Sequence, residues 1–97
     1  MLPLVLRSVA ETEVAEAVEW YAARSPDLAA HFLLALDETL QRIRRSPERC
    51  LLIYPPLRRS LLVHFPYAVF YRVYPDRIAV VAVVHARRDP RRWRTRT

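Results

Sequence analysis

The sequence predicts an α+β fold: an N-terminal edge strand, an antiparallel helical hairpin, then a three-stranded antiparallel meander, in the order β-α-α-β-β-β. Three observations predict it. Apolar residues recur at helical spacing in two consecutive segments before residue 46. Three β-prone stretches follow residue 56, separated by turn residues. The last of them, Ile78 to Val84, is an unbroken apolar run of strand length.

Leu2 to Leu6 is a short β-prone run, and Pro3 confines it to an edge or a strand start. Ser8 stands three residues before Glu11, the spacing of a capping box, and opens the first helix. Val14, Ala17, Val18 and Tyr21 share one face of it, and the glutamates are expected mainly on the others. Arg24-Ser-Pro-Asp27 interrupts the pattern; Ser25 reads as the next N-cap and Pro26 as the first helical residue. Leu28, Phe32, Leu36, Leu40 and Ile43 form the apolar stripe of the second helix, widened by Leu33. Pro47 ends it near Ser46, because the residue before proline avoids helical geometry. So short a connection between helices makes them antiparallel.

Glu48 to Pro56 reads as a proline-punctuated loop. Leu57 to Phe65 and Tyr67 to Tyr74 are the next strands. The second alternates, with Tyr67, Val69, Tyr71 and Val73 on one face and Phe70, Arg72 and Tyr74 on the other. Pro75-Asp76 turns the chain into Ile78 to Val84, which is placed centrally. The hairpin covers one face of the sheet. The opposite face, with Phe70, Tyr74 and the region of Trp93, is expected to stay open as a groove for a partner.

Ninety-seven residues form a single domain, 1–97, with a basic tail over 87–97. Hydrophobic residues at 53 % and charged residues at 27 % describe a globular chain rather than a disordered one. No apolar run approaches the roughly 20 residues that span a bilayer. Met1 to Leu6 lacks a basic leader, so a cytoplasmic protein with no membrane association is expected. The single cysteine, Cys50, excludes an internal disulfide. The absence of glycine excludes a Gly-rich phosphate loop. His31, His64 and His85 are too scattered for a metal centre, and no cofactor is expected.

All 16 basic residues are arginine. Residues 1–39 hold two arginines against seven carboxylates, net −5; the remainder holds fourteen against three, net +11. Such asymmetry favours an anionic partner, either nucleic acid or an acidic protein segment. Serines and Cys50 lack a recognisable base partner. One reaction stays open to the residues themselves, metal-free RNA cleavage, with Arg58, Arg59, Arg87 and Arg88 as cations and His64 or His85 as the proton carrier.

Several segments together carry a family resemblance: Glu16-Ala-Val-Glu-Trp-Tyr21, Phe32-Leu33, Ile43-Arg-Arg-Ser-Pro47, Arg58-Arg59, Phe65-Pro-Tyr67, Tyr71-Arg72-Val73 and Val84-His-Ala-Arg-Arg-Asp-Pro90 followed by Trp93. In this order the chain resembles the RelE/ParE superfamily of type II toxin–antitoxin toxins, the ParE branch more closely. The resemblance implies a small α+β toxin that inhibits growth by binding a protein, DNA gyrase, and a small acidic antitoxin from an adjacent gene. It implies a docking surface of Arg58, Arg59, Phe70, Arg72 and Tyr74. Arg87, Arg88, Arg91, Arg92, Trp93 and Arg94 extend that surface along the tail. The rival is a RelE-like, ribosome-dependent mRNA endoribonuclease, whose residues here would be Arg59, His85 and Arg87. That set is largely missing, because Ala68 and Trp93 stand where the nuclease branch has Arg and Tyr, and neither carries a charge or exchanges a proton at neutral pH. A non-toxic basic nucleic-acid-binding module is the third reading.

Overall fold

The computed structural model describes residues 1–97. Its elements are β1 (Leu4–Leu6), α1 (Ser8–Ala22), α2 (Pro26–Arg45), β2 (Leu51–Leu52), β3 (Arg58–Leu61), β4 (Tyr67–Val73), β5 (Ile78–His85) and a 3-10 turn, Pro90–Arg92. The strands form one mixed sheet in the order β1-β5-β4-β3-β2. β5 is an interior strand between β1 and β4, and β1 is an edge strand as expected, pairing parallel to it from Leu4↔Ile78 to Leu6↔Val80. No helix is long and apolar enough to cross a membrane.

Four local expectations are corrected. The first helix begins without a capping box. Its N-cap is Arg7, which makes no side-chain cap bond. Arg7 N–H instead donates to Val80 O at 3.0 Å, the last rung of β1, so the chain goes straight from strand into helix. The loop between Glu48 and Pro56 contains a fifth strand, β2, antiparallel to β3 through Leu51↔Arg59 and Leu52↔Arg58. β3 is shorter than Leu57 to Phe65, because the chain turns at His64, a non-glycine residue at φ 68°, and Leu62 N–H already donates across to Tyr67 O. The buried stripe of α2 is Ala29, Phe32, Leu36, Thr39 and Ile43; Leu28 and Leu33 stay exposed. Thr39 fits the stripe because its hydroxyl donates to Ala35 O at 2.9 Å, which satisfies the buried oxygen within the helix. Ser25 does cap α2, its Oγ accepting from Asp27 N–H at 3.2 Å.

The hairpin packs on one face of the sheet. There Phe32 stacks on Tyr21 at 5.3 Å between centroids, and Phe65 and Tyr67 meet both rings edge-on or tilted. Ile78, Val80 and Val83 of β5 and Val69 and Tyr71 of β4 complete this core. A bulge sits between two pairs, Phe70↔Ala82 and Tyr71↔Val80, and leaves Val81 as the extra residue. The bulge shifts the alternation by one. Val81, Ala82 and Val84 therefore face the opposite side, where they meet Ala68, Phe70 and Leu57 in a second core.

Tyr71 is buried, and its hydroxyl donates to Pro47 O at 2.7 Å, tying β4 to the end of α2. Burial first, then the neighbouring Cys50, pushes its pKa well above the tyrosine range. Burial also raises Tyr21 and Tyr67. Above about pH 10 the unfolded chain loses these protons while the folded chain keeps them. The unfolded state then binds fewer protons, so stability falls with rising pH. The urea midpoint is expected to drop between pH 9 and pH 11, and Tyr71→Phe to flatten that drop. An unchanged midpoint would contradict the burial of these hydroxyls.

Candidate functional site

The centre of the sheet face opposite the hairpin is closed by Trp93, which corrects the expectation of an open groove beside it, while Leu51 and Leu61 toward the β2 edge stay exposed. After β5 the chain turns at His85–Arg88, and Asp89 caps the 3-10 turn by accepting from Arg91 N–H at 3.0 Å. The Arg91 guanidinium donates to the same carboxylate at 2.6 and 2.9 Å. Those bonds hold the Asp89 carboxyl below the usual carboxylate range. Trp93 then lies on Phe70, ring centroids 3.5 Å apart and planes 26° apart, with Tyr54 against its edge. It is 3 % exposed, and its indole N–H has no partner. Phe70 and Trp93 are interior residues and offer no docking surface.

The tail continues past Trp93 to the open edge of β5. β1 stops at Leu6, so the backbone groups of β5 beyond Val80 have no strand on that side. Glu13, 8 % exposed, fills the gap from α1: its Oε1 accepts from Val83 N–H at 3.1 Å. Arg96 arrives from the tail, pairs with both Glu13 oxygens at 3.1 Å and donates to Val81 O at 3.2 Å. Arg7 donates to the Thr97 carbonyl at 2.8 Å, and Tyr74 O–H donates to it at 2.7 Å. One ion pair thus replaces the missing strand and pins the tail. Sequence reasoning placed Glu13 among the solvated glutamates. A signal was present: its spacing from Ala10 and Ala17 puts it on the same face.

The other predicted residues are distributed around this closed face. Arg58 is committed to structure, donating to Glu48 O at 3.0 Å and Cys50 O at 2.8 Å. Arg59 is half-buried, and Arg72 lies over the Tyr74 ring at 4.6 Å. Arg87, Arg88, Arg92 and Arg94 are exposed and belong to no ion pair. Arg91 is exposed but paired to Asp89.

The nuclease residues do not converge. His85 Nδ1 accepts from Arg87 N–H at 3.1 Å, which places the proton of the neutral ring on Nε2. Its ring meets Tyr67 at 5.8 Å. Arg59 sits two strands away and three residues further along the register, roughly 14 Å between backbones by strand spacing and rise. Ala68 and Trp93 are both buried.

An open apolar cleft lies elsewhere, between the tip of the hairpin and the β3–β4 turn. A cleft of about 770 Å³ is lined there by Trp20, Leu28, Leu34, Val63, Phe65 and Pro66, with His31, His64 and Glu38 at its margins. Trp20 is 50 % exposed and Leu34 58 %. The Arg24 guanidinium stacks on the Trp20 ring at 3.1 Å and holds it. This cleft went unread in the sequence, because it forms from three segments that only folding brings together.

A helical hairpin on a mixed five-stranded sheet, with an arginine-rich surface, defines the class as a small α+β fold. The same fold occurs in a solved chain of the chromosomal ParDE toxin–antitoxin system from P. aeruginosa, at a TM-score of 0.76 and 16 % identity, covering 88 % of this chain and 96 % of that one. The model of the family described as the ParE toxin of the type II toxin–antitoxin system parDE matches residues 4–90. The chain therefore belongs to the ParE toxin family. No curated protein matches the sequence. Residues 91–97, which carry Trp93 and Arg96, lie beyond the matched span.

Proposed function

We propose that this ParE-family chain arrests growth by binding DNA gyrase, and that a small acidic antitoxin from an adjacent gene neutralises it. The observation that carries the reading is the family match over residues 4–90 together with the scattered nuclease residues. The solved relative belongs to a two-component ParDE system. The antitoxin's apolar side chains dock in the cleft of Trp20, Leu28, Leu34 and Val63, an exposed apolar concavity of the kind a partner segment covers. Its carboxylates suit a chain of net charge +6. Arg87, Arg88, Arg92 and Arg94 are available to its flanks or to the target, and Arg59 and Arg72 contribute from the half-buried margin.

Controlled expression is expected to stop growth, and co-expression of the adjacent frame to restore it. Purified chain is expected to block supercoiling by gyrase, and Leu34→Glu to weaken antitoxin binding at least 10-fold. Cut ribosome-bound message, lost in His85→Ala, would replace this reading with the nuclease. Growth unaffected by expression would leave a basic module without toxicity.

A further inference from the structure

The end of α2 carries a second, polar cleft about 400 Å³ in volume, walled by Arg42, Arg45, Ser46, Arg49, Cys50 and Ser60. Arg42 and Arg45, at i and i+3, share a face of the last turns of α2, and the loop after Ser46 brings Arg49 to the same cleft. None belongs to an ion pair. Arg42 donates to Thr39 Oγ1 and Leu61 O, both at 3.3 Å, which anchors it to β3. Arg45 and Arg49 carry no such tie. The loop bearing Arg49 and Cys50 is held by the two Arg58 bonds to Glu48 O and Cys50 O. No carboxylate lines the cleft; Asp37 and Glu38 border a neighbouring hollow with Arg42 and Arg45. The C-terminal end of α2 supplies only about half a negative charge against three cations.

We propose that this cleft binds the phosphodiester backbone of a nucleic acid duplex. Guanidinium forks and hydroxyl donors match phosphate oxygens in geometry as well as charge. A peptide partner would need an apolar pocket for an anchor, and Cys50 is the only apolar side chain in the wall. A single strand would need aromatic platforms for its bases, and none lines the cleft. The two clefts share no lining residue; the nearest on α2, Glu38 and Arg42, are about one helical turn, roughly 6 Å, apart.

The test is fluorescence anisotropy of the purified chain with a labelled 20-bp DNA duplex over a salt series. Arg45→Ala/Arg49→Ala is expected to weaken binding at least 10-fold and to reduce the slope of log K against log salt by about 2, close to 0.9 per lost phosphate contact. Arg45→Lys/Arg49→Lys, which keeps the charge, is expected to keep most of the slope. Arg87→Ala/Arg92→Ala, the equivalent loss in the tail, is expected to change affinity less than 3-fold. Three results overturn the assignment. One is no duplex binding at low salt. The second is a tail variant that costs as much as the cleft variant. The third is equal competition by single-stranded RNA or polyglutamate, which marks a generic anion surface. Binding is read without gyrase or antitoxin, so its failure leaves the toxin reading standing.

Discussion

Trp93→Ala is expected to destabilise the fold by about 3–5 kcal/mol, the range for emptying a buried aromatic site. For a domain of this size that lowers the melting temperature by on the order of 20 °C. The ring is almost wholly buried against Phe70, and its loss uncovers Phe70, Ala82 and Val84 together. Trp93→Phe keeps the stack and removes an indole N–H that has no partner, so its cost is expected to be smaller, about 1–2 kcal/mol. Thermal melts followed by far-UV circular dichroism measure both. A loss below 1 kcal/mol for the alanine variant would mean that the tail does not cover the sheet in solution.

Glu13→Ala is expected to cost about 2–4 kcal/mol, because it strands two groups at once. Val83 N–H loses its acceptor, and the Arg96 guanidinium keeps only Val81 O. Glu13→Gln still offers Val83 an oxygen and is expected to lose about 1 kcal/mol. The Glu13→Ala and Arg96→Ala losses are expected to overlap, with a coupling of 1–3 kcal/mol in a double-mutant cycle. Strict additivity would show that the two side chains act separately and that the edge of β5 is closed by something else. Both variants also loosen a tail that bears Arg92 and Arg94, so growth arrest offers a second readout beside stability.

The elements were legible wherever one local signal decides them. Ser25 and Pro26 fixed the start of α2, Pro47 its end, and the alternation from Tyr67 to Val73 put Tyr67, Val69, Tyr71 and Val73 on the hairpin side and Phe70 on the other. The signals failed where tertiary hydrogen bonds overrode them. Arg7 went to Val80 rather than leaving Ser8 as a cap, and β2 formed in a proline-rich loop because β3 supplied a partner. What each arginine faces was not legible in the sequence. Arg58 turned out to hold a loop, Arg91 to pair with Asp89, and Arg42, Arg45 and Arg49 to gather around one cleft.

The sequence by itself determined the hairpin, the meander, the interior place of β5 and the family, because periodicity, caps and ordered motifs are written in neighbouring residues. The run from Ile78 to Val84 called for apolar cover on both faces or most of them, yet the cover opposite the hairpin was expected from a partner. Only the tertiary structure decided that the chain's own tail supplies it. Trp93 and Phe70 are 23 positions apart, and Glu13 and Arg96 are 83 apart. Pairs so distant leave no periodic trace; they are selected by the free energy of burying one surface against another once the sheet exists.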